Sequence, residues 1–282
     1  MLGEVMLGET LLMALSLGAF YSLLGIAFYF SWEGAGVVNI AFGEMALVVP
    51  YVLLLLHRKG GWSWYAAMWP ALLSAFLWAP LLWMMVRRLV GLATLVFTLG
   101  LAFVLQRLMV ILFTVDYRVL EVEWRGVELG GILWPGPFVM LFGVSWVVIL
   151  CLLIFFRTTM KGLAMRAYLQ DKTLAALLGV SGEGAKFFFL LGGLMLTGLS
   201  GFLFSIFHPF NPFEGLKLTI AAFTVALLTR GGRLAPLLVG GVLLGVAETM
   251  AGYWAGYQWQ EGARALALLG AVAWRSWRDV LE

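Results

Sequence analysis

The chain has very little of what enzymes work with. It has one cysteine, Cys151, inside an apolar run, so no intrachain disulfide and no cysteine-based metal site can form. It has two histidines, His57 and His208, both at the ends of apolar runs and not at the spacing of a local ligand pair. HExxH and GxSxG are absent, which leaves an intramembrane hydrolase without a metal or a nucleophile. GxxxxGK[ST] is absent too, so the chain has no phosphate loop with which to drive work by its own ATP hydrolysis. Charge is scarce: Asp, Glu, Lys and Arg make up 12% of residues, against about 25% in soluble domains. The net charge of +3 is small, and the cations flank apolar runs, so membrane topology accounts for them better than nucleic acid does.

What is abundant is apolar. Hydrophobic residues make up 63% of the chain and the mean hydropathy is +0.99. No water-soluble core absorbs that much apolar surface, so the chain is read as an all-α polytopic membrane protein with about eight to nine transmembrane or re-entrant helices, each full span needing about 20 residues. It forms a single transmembrane domain over 1–282. The thirteen tryptophans and eight tyrosines suit interfacial belts.

The apolar runs are 11–30, 40–56, 62–86, 92–114, 136–156, 187–207, 216–228, 234–253 and 263–274. The first has no basic region before it and is read as a retained span. Ser16, Gly18, Ser22 and Gly25 give it a small-residue face for close packing. Residues 31–39 form a Gly-rich turn, and 115–135 is a polar loop whose acids include Glu121 and Glu123. The runs 216–228 and 263–274 are short, which predicts a broken or re-entrant element buried in protein or facing a cavity.

The acidic start, with Glu4 and Glu9, places the N-terminus outside and the C-terminus in the cytoplasm. Arg87, Arg88, Arg157, Lys161, Arg166, Lys172, Lys186, Arg230, Arg233, Arg275 and Arg278 then fall inside. Arg58, Lys59, Arg118, Arg125, Lys217 and Arg264 fall outside, and Arg107 lies within the membrane. The Arg58-Lys59 pair is discordant, and a re-entrant second segment would remove the conflict.

The stretch 157–186, RTTMKGLAMRAYLQDKTLAALLGVSGEGAK, is the one long polar interval rich in positive charge. It sits in the cytoplasm by the positive-inside rule. Ala164, Ala167, Leu174, Leu177 and Leu178 recur at helical spacing, interrupted at Gln170 and Asp171, which predicts a pair of short amphipathic helices closed by Gly179. Such an element is either a solvated connector on the lipid surface or a dock for a cytoplasmic partner; the second reading is preferred.

Few ionisable groups lie at membrane depth, where they are costly and often functional: Glu44, Arg107 and Glu248, with Asn39 and Gln106 as polar neighbours. Glu44 follows Gly43 at an expected helix break, where a carboxylate can accept from freed backbone amides. Glu248 lies in a glycine-rich helix with Gly240, Gly241 and Gly245. For both, a structural hydrogen bond is preferred to direct contact with a transported solute. Arg107 either neutralises a carboxylate or snorkels to an interface.

The segment 162–180 resembles the cytoplasmic segment of branched-chain amino-acid ABC permeases of the LivH type, with Gly162, Ala164, Arg166, Ala167, Asp171, Ala175, Leu178 and Gly179 in ungapped order. Asn39-Ile-Ala-Phe-Gly-Glu44 resembles that family's Asn-Phe-Ala-His-Gly-Glu element. Asn211-Pro212, Gly215 and Ala222-Phe223-Thr224 resemble its re-entrant region, and Gly240, Gly241, Gly245 and Glu248 its glycine-rich helix. The departures are Phe42 for the family's histidine, Ala221 for its lysine, two added arginines in 228–233, and Trp274 to Arg278 in place of a Pro-Gly ending.

The resemblance implies the ABC importer permease fold. The partners it implies are a second related permease, two cytoplasmic ATP-binding subunits and an extracytoplasmic solute-binding protein. ATP is used by the partners, and no cofactor is expected in this chain. Gly162, Ala164, Arg166, Ala167, Asp171, Ala175 and Gly179 become the ATPase-coupling loop. Asn39, Gly43, Glu44, Asn211, Pro212 and Glu248 become candidates for the pathway or its gate. The solute is a branched-chain or related amino acid, or alternatively urea, an amide or an aromatic acid. An autonomous secondary transporter would need an ion-coupling set that three ionisable residues supply poorly.

Overall fold

The computed structural model describes residues 2–89, 91–120, 125–129, 131–229 and 232–281. Glu121, Glu123, Arg230 and Gly231, and the side chains of Glu4 and Arg278, lie outside the described residues.

The first helix, α1 (Leu2–Tyr29), starts well before the expected run and passes without interruption into a π-helical turn, Phe30–Gly34. The turn expected at 31–39 is thus helical in its first four residues, and the irregular stretch is 35–41. Then come α2 (Phe42–Arg58) and a rod in three pieces: α3 (Trp64–Leu73), a 3-10 segment (Ser74–Trp78) and α4 (Ala79–Arg88). Pro70 inside α3 removes one helical hydrogen bond, and the tighter 3-10 segment follows it. Next are α5 (Leu92–Phe113) and a small hairpin of β1 (Val127–Leu129) and β2 (Ile132–Trp134), within what was expected to be an irregular polar loop. The chain continues through α6 (Gly136–Thr158), α7 (Met160–Gln170), α8 (Lys172–Leu177), α9 (Gly182–Phe207), α10 (Gly215–Leu227), α11 (Ala235–Ala255) and α12 (Gln258–Leu281). Prolines stand in the first turns of α4, α6 and α11, where a missing N–H costs nothing.

Among the described residues, six stretches are long and apolar enough to cross a membrane: Leu7–Gly34, Trp64–Arg88, Leu92–Phe113, Gly136–Thr158, Gly182–Phe207 and Ala235–Ala255. As expected, α10 is short, at 13 residues. The last run is a correction: instead of a broken piece over 263–274, α12 is one helix of 24 residues.

The chain gathers into two compact units, each discontinuous in sequence. The first holds Met1–Gly25, Val122–Leu163 and Ala221–Glu282; the second holds Ile26–Glu121 and Ala164–Ile220.

In the first unit, the small-residue face of α1 meets the glycines of α11. A Cβ on Gly241 would strike the backbone of Ser22, and one on Gly245 would strike that of Gly18. Ser22 Oγ also donates to the Leu238 carbonyl at 3.1 Å. In lipid there is no hydrophobic drive between helices, so this backbone-to-backbone approach and its dispersion contacts hold the pair together.

The second unit packs α2 against α9 in the same way. A Cβ on Gly201 would run into the Ala46 carbonyl oxygen, and one on Gly198, on the side of α9 facing the 3-10 segment, would lie 2.7 Å from Ala75 Cβ. Phe189 of α9 is fully buried, with Phe30 edge-on to it at 5.2 Å.

Candidate functional site

The second unit contains two buried helix starts, and they share one hydroxyl. The N-terminus of α2 follows the irregular stretch 35–41, and the N-terminus of α10 follows the turn at His208–Pro212. Asn211 Oδ1 accepts the Phe213 amide at 2.9 Å, an Asx turn that lets the chain begin α10. Thr219, one turn into α10, accepts the Gly43 amide at 2.9 Å. Its own hydroxyl hydrogen faces two carbonyls, Ile40 at 3.1 Å and Gly215 at 3.2 Å. An amide in the first turn of α2 is thereby satisfied by α10. Both helices need glycine here. A Cβ on Gly43 would run into the Gly215 carbonyl, and one on Gly215 would lie 2.7 Å from the Glu44 carboxyl carbon.

Glu44 is 3% exposed, in the first turn of α2 and against the first residue of α10. Each helix start presents unpaired N–H groups and a positive dipole end, the surroundings that best tolerate a buried carboxylate. Asn39 sits at the same break, its Nδ2 donating to Met45 Sδ at 3.3 Å. Among the described residues, Glu44 Oε2 and Asn39 Oδ1 are buried without a hydrogen-bond partner. Asn39, Gly43, Glu44, Asn211 and Pro212 all lie in this one unit. Asn39 and Glu44 flank the start of α2, and Asn211 and Pro212 lead into α10. Thr219 was not foreseen; its only sequence signal is a position four residues after Gly215.

On the side of this break facing the 115–118 loop, Arg118 and Phe210 pair through both backbone hydrogen bonds, at 2.8 and 2.9 Å. Phe210 is fully buried, edge-on to Tyr51 at 5.2 Å, and the Arg118 guanidinium donates to the Phe113 carbonyl at the end of α5.

Glu248 lies elsewhere, in the first unit. Tyr21 Oη donates to Glu248 Oε2 at 2.6 Å, Arg264 Nη2 donates to Tyr21 Oη at 3.1 Å, and Arg264 forms a close ion pair with Glu248 Oε1. One buried charge on α11 is thus neutralised by α12 and steadied by α1. Arg107 differs: it is exposed on α5.

The basic loop folds as two short helices. Thr159 Oγ1 accepts the Gly162 amide at 2.9 Å at the start of α7. Asp171 Oδ1 accepts from Thr173 and Leu174 at 2.8 and 3.0 Å at the start of α8. Gly179, at φ +85°, closes it. Tyr168, Leu169 and Ala175 are buried, and the Tyr168 ring stacks on Phe189 at 6.2 Å. Burial pushes the Tyr168 phenol pKa up. Outward point Met160, Leu163, Leu174, Leu177 and Leu178, the last two 80% and 79% exposed. Arg166, Ala164 and Ala167 are half-buried, and Asp171 is exposed. Asp171→Ala removes the cap and is expected to cost α8 about 1 kcal/mol. Hydrogen exchange at the Thr173 and Leu174 amides should rise several-fold; unchanged protection would show that packing alone holds this helix.

Comparison with known proteins agrees with this architecture. A family model described as the permease component of the branched-chain amino acid transport system matches residues 10–273. The high-affinity branched-chain amino acid transport system permease protein LivH of Escherichia coli (strain K12) is 27% identical over 264 residues, covering 83% of this chain and 82% of that protein. The corresponding protein BraD of Pseudomonas aeruginosa is 23% identical over 259 residues, covering 85% and 84%. A chain of PsaBC from Streptococcus pneumoniae, solved in complex with Fab, superposes with a TM-score of 0.54 over 96% of this chain and 95% of its own, at 15% identity, which speaks for the fold alone. With a family match over nearly the whole chain and a helical, multi-pass fold to go with it, this protein belongs to the permease-component family of branched-chain amino acid transport systems.

Proposed function

We propose that this chain is the membrane subunit of an ATP-driven importer for branched-chain or related amino acids, and that it supplies half of the translocation pathway. Its partners are a second related permease, two cytoplasmic ATP-binding subunits and an extracytoplasmic solute-binding protein. The chain itself is not an enzyme; hydrolysis belongs to the ATP-binding subunits, and no cofactor is held here. The N-terminus lies outside and the C-terminus in the cytoplasm, the orientation that the acidic start and a cytoplasmic 157–186 loop support when every apolar run crosses.

The observation that carries this reading is the leucine face of α7 and α8. A solvated connector gains nothing by presenting Leu174, Leu177 and Leu178 to water while Tyr168 and Ala175 fix the helices from behind. A rigidly mounted apolar patch with basic flanks is built to receive a partner and to pass a push into α9 as a rigid-body shift. The buried break at Glu44 and Thr219, where α2 meets α10, is the element that such a shift would move.

The departures from the family pattern do not favour another solute. Phe42 is buried and edge-on to Phe28 at 5.3 Å, and Ala221 is fully buried. Both fill space inside the protein.

The test is co-purification of the tagged chain with its ATP-binding subunits. Leu177→Asp combined with Leu178→Asp is expected to lower recovery of those subunits at least tenfold while the second permease is retained. Undiminished recovery would rule out this face as the dock.

A further inference from the structure

Two buried donors near the 115–118 loop have no acceptor. Tyr51 is 1% exposed, yet among the described residues its hydroxyl has no hydrogen-bond partner. Arg118 Nε is buried and unpartnered in the same way. Both residues belong to one cluster in the second unit. The Tyr51 ring packs on Phe113 at 4.6 Å and stands edge-on to Phe210 at 5.2 Å. Arg118 holds the same two residues: Nη2 donates to the Phe113 carbonyl at 2.9 Å, and its backbone pairs with that of Phe210. Its charge reaches the phenol.

Arg118 also lacks a counter-ion. Its other side-chain bond goes to the neutral Thr114 hydroxyl at 3.3 Å, and Asp116 instead accepts from that hydroxyl at 2.6 Å. Among the described residues no carboxylate lies in ion-pair range of Arg118. A half-buried cation without a counter-charge and a buried phenol without an acceptor both cost stability. One negative group with two oxygens relieves both. A carboxylate has that form, with one oxygen for the phenol O–H and the other for Nε–H. The rings of Phe113 and Phe210 give the rest of a small acid an apolar wall. Tyr51 stands seven residues after Glu44, on the same face of α2 and ~10 Å further along it.

We infer that Tyr51 and Arg118 form a subsite for the carboxylate of the transported solute, between the exposed 115–117 loop and the break at Glu44. The inference rests on the proposed importer function for the source of that carboxylate; the donor set itself selects a small organic acid. Phe210, fully buried against Tyr51, leads through Asn211 and Pro212 into α10. A ligand that displaces Phe210 therefore acts on the start of that helix.

The test is the melting temperature of the full chain, purified in detergent with the subunits it retains. The probes are leucine, its deaminated analogue isocaproate, and leucinol, which carries a hydroxymethyl group in place of the carboxylate. At saturation the two acids are expected to raise the melting temperature by about 2 °C, and leucinol is expected to leave it unchanged. Tyr51→Phe deletes a hydroxyl that has no partner, so without ligand it is expected to melt no lower than the parent, and yet to lose most of the acid-dependent shift. Arg118→Gln is expected to lose that shift as well. The inference is overturned by an equal shift from leucinol, by no shift from either acid, or by a full shift in Tyr51→Phe. A lower melting temperature for Tyr51→Phe without ligand would give the hydroxyl a purely structural role and overturn it too. An acid-dependent shift that needs Tyr51, in a chain that recovers no ATP-binding subunit, would sustain the subsite and sink the importer reading.

Discussion

Glu248→Gln is expected to lose most of the folded protein from detergent extracts. The substitution keeps the shape and one acceptor but removes the charge that faces Arg264. That guanidinium is then left among α1, α11 and α12 with only the Tyr21 hydroxyl and the new amide as neutral partners. Breaking a buried pair from one side costs about 3–5 kcal/mol, a large part of the 5–15 kcal/mol by which proteins are typically stable. Removing both charges is a different matter, because paired burial returns little net stability over a packed apolar pair. Glu248→Met together with Arg264→Met is therefore expected to recover most of the yield that either single change loses. Fluorescence-detected size exclusion and melting temperature in detergent read both effects. A double variant no better than Glu248→Gln would show that the residues act separately and would remove the ion pair from this account.

Gly43→Ala is the second large effect, and it acts on transport more than on yield. The added methyl has no direction in which to give way. It meets the carbonyl oxygen of Gly215, with Thr219 Oγ1 at 2.9 Å beside it. Both belong to α10, whose first turn is pinned by Thr219 and by the Asx turn at Asn211. Overpacking of this kind costs about 1–3 kcal/mol, and here relief comes only by separating the starts of α2 and α10, which exposes Glu44. Uptake normalised to membrane expression is expected to fall at least tenfold. Gly100→Ala is the control: it lies inside α5 with open space around its Cβ position, and alanine there favours the helix by up to about 1 kcal/mol. Equal uptake by the two variants would overturn the proposal that transport depends on the break where α2 meets α10.

What the sequence made legible follows from how local each signal is. Asp171 and Gly179 are short-range signals, and the helix pair in the basic loop appears where they put it. The small faces of α1 and α11 were visible as faces that pack closely. That each was the other's partner was not, since nothing local ties Gly18 to Gly245. Thr219 escaped notice for the same reason: a threonine inside an apolar helix becomes informative only once the amide it receives is known. The strands β1 and β2, three residues each, are too short to show a period of two. The helix α12 was cut short at 263 because Gln258, Gln260 and Glu261 ended the apolar run, and they end it only when every side chain is assumed to face the same surroundings. The expectation for Glu44 and Glu248 was a structural hydrogen bond; the geometry gives Glu248 an ion pair as well and sets Glu44 between two helix starts.

The ion pair between Glu248 and Arg264 also bears on the order in which the chain enters the membrane. The two residues stand on consecutive helices joined by the short turn at Gly256 and Tyr257, so they belong to one helical hairpin. Presented singly, Arg264 would carry an unpaired charge towards lipid, where the penalty rises to about 2.5–3.5 kcal/mol at a helix centre on the insertion scale, and α12 would be a poorer candidate for release. Presented as a hairpin, the two charges cancel before either meets hydrocarbon. The last two helices are thus suited to leave the insertion machinery together, and α1, made first, waits with the Tyr21 hydroxyl that receives them.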